Sequence, residues 1–157
     1  MELSTKVIWQ GPLLENDAAV ALARFAQYNV ERAAICVKGN IVVLTPSNTH
    51  VLRSSIQLEI APLVATIYSP SPYAVPVEVG QRPHWPPIAP MALWAIRRFS
   101  VSDQAQLHSI VYFVSRKIAR SGVKGFEMFR MGVALATKSV EAIFQDMGAQ
   151  IALYFSS

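Results

Sequence analysis

Catalysis and metal binding need nucleophiles, carboxylates or imidazoles at short spacings, so those residue types come first. The chain has three histidines, His50, His84 and His108, and one cysteine, Cys36. The histidines share no ligand spacing with one another. His84 sits between Pro83 and Trp85, where a turn accounts for it, and His108 follows Leu107 as a surface or interface residue of a predicted helix. A lone cysteine excludes an intrachain disulfide and any multi-cysteine metal site. Within Ala33-Ala34-Ile35-Cys36-Val37 it reads as a small buried apolar residue. No two carboxylates recur at an acid/base spacing, and neither a Gly-x-Ser-x-Gly elbow nor a phosphate loop is present. Gly122-Val123-Lys124-Gly125 has the composition of a loop that clamps nucleic acid, but a helix-to-helix turn explains both glycines. The expectation is a chain without catalytic, cofactor or metal site, and not an enzyme.

What must position these residues is unusually apolar. Hydrophobic residues make up 52% of the 157 residues and charged residues 15%, against about 25% charged in ordinary soluble domains. A membrane span needs about 20 consecutive apolar residues, and charge or proline interrupts every apolar run here. The opening Met-Glu-Leu-Ser-Thr-Lys lacks the basic flank and apolar stretch of a signal peptide. A single soluble domain over residues 1–157, with no membrane contact, is expected to hold its apolar surplus for other subunits. Charge is uneven as well. From Arg82 to Lys124 the seven basic residues Arg82, Arg97, Arg98, Arg116, Lys117, Arg120 and Lys124 are offset only by Asp103. With no aromatic-interleaved basic motif, this reads as a solvated face or a contact to an acidic neighbour.

Along the chain, Ser4 to Gln10 reads as a short strand ended by Gly11-Pro12. Asn16 or Asp17 caps a helix that carries Val20, Ala23, Tyr28, Ala34 and Ile35 and stops near Lys38-Gly39. Ile41 to Leu44 is a β-prone run. Ser55 to Ile60 and Leu63 to Tyr68 alternate across Ala61-Pro62, the pattern of an antiparallel hairpin. A third strand is expected from Tyr73 to Val79, placed at an edge by Pro76. Residues 80–90 hold four prolines and read as a stiff exposed loop. Three helices follow, over Pro90–Phe99 with Leu93 and Trp94, from a Ser102 cap to Gly122, and over about 126–154. The last carries a broad face of Phe129, Val133, Ala136, Val140, Ile143, Phe144, Met147 and Ile151. The fold class is α+β: an N-terminal helix, a small antiparallel β-sheet and a helical C-terminal half.

One cluster has specific spacing. Thr45-Pro46-x-x-Thr49-x-x-Leu52-Arg53-x-Ser55 sets a proline turn and a capping threonine before a strand. Thr49 can close the turn on a backbone amide, Leu52 can anchor it, and Arg53 can reach a carboxylate on a neighbouring strand or subunit. Tyr73-Ala74-x-x-Val77-Glu78-x-Gly80 supplies such a carboxylate in Glu78, so the two readings are an Arg53–Glu78 pair, or a solvated arginine and a strand-end glutamate.

In this order the two motifs resemble those of the tailed-bacteriophage head–tail connector, or neck (tail-completion), family. The first is Thr45-Pro46-Ser47-Asn48-Thr49-His50-Val51-Leu52-Arg53-Ser54-Ser55 and the second Tyr73-Ala74-Val75-Pro76-Val77-Glu78-Val79-Gly80. Arg82-Pro83-His84-Trp85-Pro86-Pro87 and Lys124-Gly125-x-x-Met128-Phe129 are also similar to family segments. The resemblance spans residues 17–145. His50 stands where the family has glycine, and Gln81 where threonine is frequent.

The resemblance implies a virion structural protein at the head–tail junction, made in the host cytoplasm. It would be a homo-oligomeric ring subunit, with sixfold symmetry the natural expectation. Its partners would be a head-side stopper or connector and a tail terminator or tail tube protein. DNA would pass through the lumen without sequence-specific binding. The C-terminal helix with Phe129 and Phe144, and the proline-rich loop with Trp85 and the nearby Trp94, are the candidate subunit contacts. A tail terminator or minor tail subunit, and more remotely a basic nucleic-acid-binding module, are the alternative readings.

Overall fold

The computed structural model describes residues 16–46 and 50–156. It is a mostly helical α+β fold, with a long N-terminal helix, two small antiparallel sheets and a helical C-terminal half. The expected strand at Ser4 to Gln10 lies outside the described residues. The chain forms two compact units, one from residues 16–40, 57–68 and 132–156, the other from 41–46, 50–56 and 69–131.

The first unit contains most of helix α1 (Asn16–Leu44), the hairpin β1 (Gln57–Ala61) and β2 (Val64–Tyr68), and most of helix α6 (Met128–Ser156). The expected hairpin forms, in the register Leu58 opposite Ile67 and Ala61 opposite Val64. Its Pro62-Leu63 tip is tied to α1, where the Leu63 amide donates to Gln27 Oε1 at 2.8 Å. Small residues, Ala18, Ala33, Ala34 and Ala136, supply the buried apolar positions. Asn29 is also buried, its Nδ2 donating to the Phe25 carbonyl one turn earlier at 2.8 Å. Phe25 meets Tyr154 edge-on with ring centroids 5.7 Å apart, and Arg32 lies 3.7 Å from Asp146.

Helix α1 does not stop at Lys38-Gly39, and Ile41 to Leu44 is not a strand. Helix geometry continues to Leu44 because Ile41 is buried at 1% exposure. That burial outweighs the cost of an interior glycine, about 1 kcal/mol. The helix ends at Thr45, whose amide and Oγ1 both donate to the Ile41 carbonyl.

The second unit holds helices α2 (Val51–Ser54), α3 (Ala74–Val79), α4 (Ile88–Phe99) and α5 (Gln104–Ser121). Strands β3 (Gly80–Gln81) and β4 (Val123–Lys124) pair antiparallel, Gly80 opposite Lys124. The third strand expected at Tyr73 to Val79 is therefore a helix. Pro76 is the third residue of α3, inside the first turn, where its missing N–H costs no helical hydrogen bond. The loop over 80–90 is also shorter than expected: Gly80-Gln81 is strand, α4 begins at Ile88, and Pro86 is buried. Gly122 and Gly125 flank β4 and do not form a plain helix-to-helix turn.

Asp103, and not Ser102, caps α5, its Oδ2 accepting from the Gln106 amide at 2.7 Å. Asp103→Ala is expected to cost about 1 kcal/mol in urea unfolding and Ser102→Ala close to nothing. Equal effects would contradict this cap.

Candidate assembly surface

The first motif is built around the end of α1. Thr45 is 1% exposed, and its carbonyl accepts from the Arg53 guanidinium at 2.8 Å. Leu52 joins Ala74 and Met128 in a buried cluster flanked by Leu44, Val77 and Phe129. Ser55 Oγ donates to the Leu52 carbonyl at 2.7 Å and lies 2.7 Å from Ser69 Oγ. Pro46 is half-buried after the helix, and Thr49 lies outside the described residues. His50 has φ 59° and ψ −9°, the left-handed conformation in which a glycine would be unstrained.

The second motif organises the start of α6. Glu78 accepts through Oε2 from the Phe129 amide at 2.9 Å and through Oε1 from the Arg130 amide at 3.1 Å. A carboxylate on the first free N–H groups of a helix also meets the positive end of its dipole. Just before α6, the Phe126 and Glu127 amides donate to the Val77 and Glu78 carbonyls. The Arg53–Glu78 pair is not formed within the chain, because Thr45 occupies the guanidinium and α6 occupies the carboxylate. Gly80 has φ 85° and ψ −175°, and a Cβ there would collide with the Val123 carbonyl. Tyr73 is exposed, so the second motif acts through Ala74 and Val77 in the buried cluster and through Glu78 and Gly80.

The aromatic candidates fall in different settings. Trp85 is 55% exposed, 6.4 Å from Tyr112, which in turn stands 5.7 Å from Phe113. Trp94 is half-buried against the Phe99 ring at 5.6 Å. On α6, Phe129 is half-buried and Ala136 buried, while Val133 and Phe144 are exposed at 52% and 38%. An apolar groove of about 920 Å³ runs between α1 and the hairpin, lined by Val20, Ala23, Tyr28, Ile60 and Leu63 among others.

Among the described residues, twelve apolar side chains are buried, six of them alanine, while twenty-eight large apolar side chains are exposed. The groups that would suggest chemistry stay apart. Cys36 is half-buried, not buried as expected, 3.9 Å from Asn40 Nδ2, and His84 Nδ1 lies 2.9 Å from the Arg82 carbonyl. Among the described residues no group of His, Cys, Asp or Glu could hold a metal ion, and no helix is long and apolar enough to cross a membrane.

Two features escaped the sequence reading. The Asp103 cap carried a signal, Gln106 three residues on, the spacing of a capping box. The helical turn that brings Tyr112 and Phe113 beside Arg116 and Lys117 shows only when α5 is read by faces. No protein-family model, curated protein or solved structure matches the chain.

Proposed function

We propose that the chain is a structural subunit of a tailed-bacteriophage neck ring, joining the head-side connector or stopper to the tail around a lumen for DNA. The work is geometric, not catalytic: closing a ring and presenting two docking faces. The observation that carries assembly is the exposed apolar surface, with more than twice as many large apolar side chains exposed as apolar residues buried among the described residues. Such an excess of exposed over buried apolar side chains suits a surface that other subunits cover. The order and spacing of the Thr45–Ser55 and Tyr73–Gly80 motifs supply the neck assignment. Cyclic head-to-tail contacts suit a ring that faces a hexameric tail.

Val133 and Phe144 lie eleven residues apart on α6, within about 20° of each other around the helix. Both are exposed, which suits a subunit contact. Negative-stain images of the purified protein, alone and with detached tails, should show rings at the tail end. Val133→Glu/Phe144→Glu should leave a folded chain that forms none. A wild-type chain that stays monomeric and ignores both tails and the head-side stopper would overturn the reading. Binding to the tail but never to the stopper would favour a tail terminator instead.

A further inference from the structure

Charge divides unequally between the two units. Residues 41–56 and 69–131 carry nine basic and three acidic residues, net +6, and the rest of the chain five basic and seven acidic, net −2. Every acid of the basic unit is already engaged. Glu78 caps α6, Asp103 caps α5, and Glu127 pairs with Arg130. Arg53 is held by the Thr45 carbonyl. That leaves Arg82, Arg97, Arg98, Arg116, Lys117, Arg120 and Lys124, all exposed and none with an ion-pair partner among the described residues.

Three of these cations converge. Arg116, Lys117 and Arg120 line a shallow groove of about 410 Å³ on α5 with Phe113 and Ser121. Arg116 and Arg120 are one helical turn apart, about 6 Å along the axis. At one end stands the aromatic cluster of Trp85, Tyr112 and Phe113, exposed at 55%, 52% and 65%. Core packing does not explain three rings left in water beside three unpaired cations. A protein partner usually presents both signs of charge interspersed. A phosphate backbone presents one sign at a regular spacing, and bases offer faces on which aromatic rings stack.

We propose that this face of α5 binds a nucleic-acid backbone without sequence preference, through Arg116, Lys117 and Arg120, with Phe113 as a stacking platform for unpaired bases. The surface belongs to one chain, so the inference stands apart from the ring reading, and a monomeric chain can satisfy it.

Fluorescence anisotropy of the full chain tests it with a labelled duplex, a single strand of equal length, and polyglutamate of equal charge. Arg116→Gln/Lys117→Gln/Arg120→Gln should lower the slope of log affinity against log salt for duplex by about 2.7, three phosphate contacts at about 0.9 each. The control Arg24→Gln/Lys38→Gln/Lys138→Gln removes the same charge from the other unit and should keep the wild-type slope. Phe113→Ala should weaken single-strand binding about tenfold and leave duplex binding unchanged. No binding of either nucleic acid at 50 mM salt, equal losses in the two triple variants, or tighter binding of polyglutamate would overturn the proposal. Unchanged single-strand affinity in Phe113→Ala would remove its stacking half.

Discussion

Gly80→Ala is expected to destabilise the chain by more than about 3 kcal/mol, enough to lower the urea midpoint sharply or prevent folding. Two effects add. At φ 85° and ψ −175° the residue occupies a region essentially closed to side chains, worth about 1–3 kcal/mol of strain. The added Cβ would also overlap the Val123 carbonyl and lie 2.6 Å from the Gly125 amide nitrogen. Both obstacles are backbone, so no rotamer change relieves them. Gly122, at φ 68° with the Gln81 carbonyl against it, should behave alike. Gly39 is the contrast, helical with nothing within 4 Å of a built Cβ, so Gly39→Ala should gain about 0.5–1 kcal/mol. Unfolding midpoints of the three variants check this; a Gly80→Ala chain as stable as the wild type would refute the collision.

Glu78→Ala is expected to cost about 2 kcal/mol, more than an ordinary surface cap, because two donors lose their acceptor at once. The Phe129 and Arg130 amides both depend on this one carboxylate, and neighbouring Phe129 packs on the Leu52–Ala74–Met128 cluster. Glu78→Gln keeps one acceptor oxygen and should lose about half as much. Reversing Arg53 and Glu78 together should rescue neither single reversal, because the two side chains serve different backbone groups. Urea unfolding followed by circular dichroism reads all five variants. A full rescue by the double reversal would restore the ion-pair reading.

The elements visible in the sequence were those set by local pattern. The hairpin announced itself through alternation about Ala61-Pro62, and the α5 stop through Gly122. What escaped depended on distant partners. Ile41 to Leu44 has strand propensity, yet burial of Ile41 and the Thr45 back-bond keep it helical. Tyr73 to Val79 looks extended because of Val75, Val77 and Val79. It is helical with Glu78 bonded to amides 51 and 52 residues away. Within the motifs, residue types were legible but their roles were not: Arg53 and Glu78 looked like a pair and serve as two separate backbone anchors. The basic face was visible as a charge excess, but its aromatic neighbours became so only once α5 was wound.

The β3–β4 pairing also has a temporal side. Joining Gly80 to Lys124 closes a long stretch of chain that contains all of α4 and α5. Closing it from an unstructured state carries a loop entropy that grows with loop length, about 0.6 kcal/mol per doubling. The α4–α5 pair is local, joined by residues 100–103 alone, and its earlier formation shortens the span still to be closed. The folding order expected for this unit therefore runs from the inside out: the helical pair first, the two-residue ladder next, the Glu78 clasp on α6 last. In kinetic terms, Glu78→Ala should speed unfolding far more than it slows refolding.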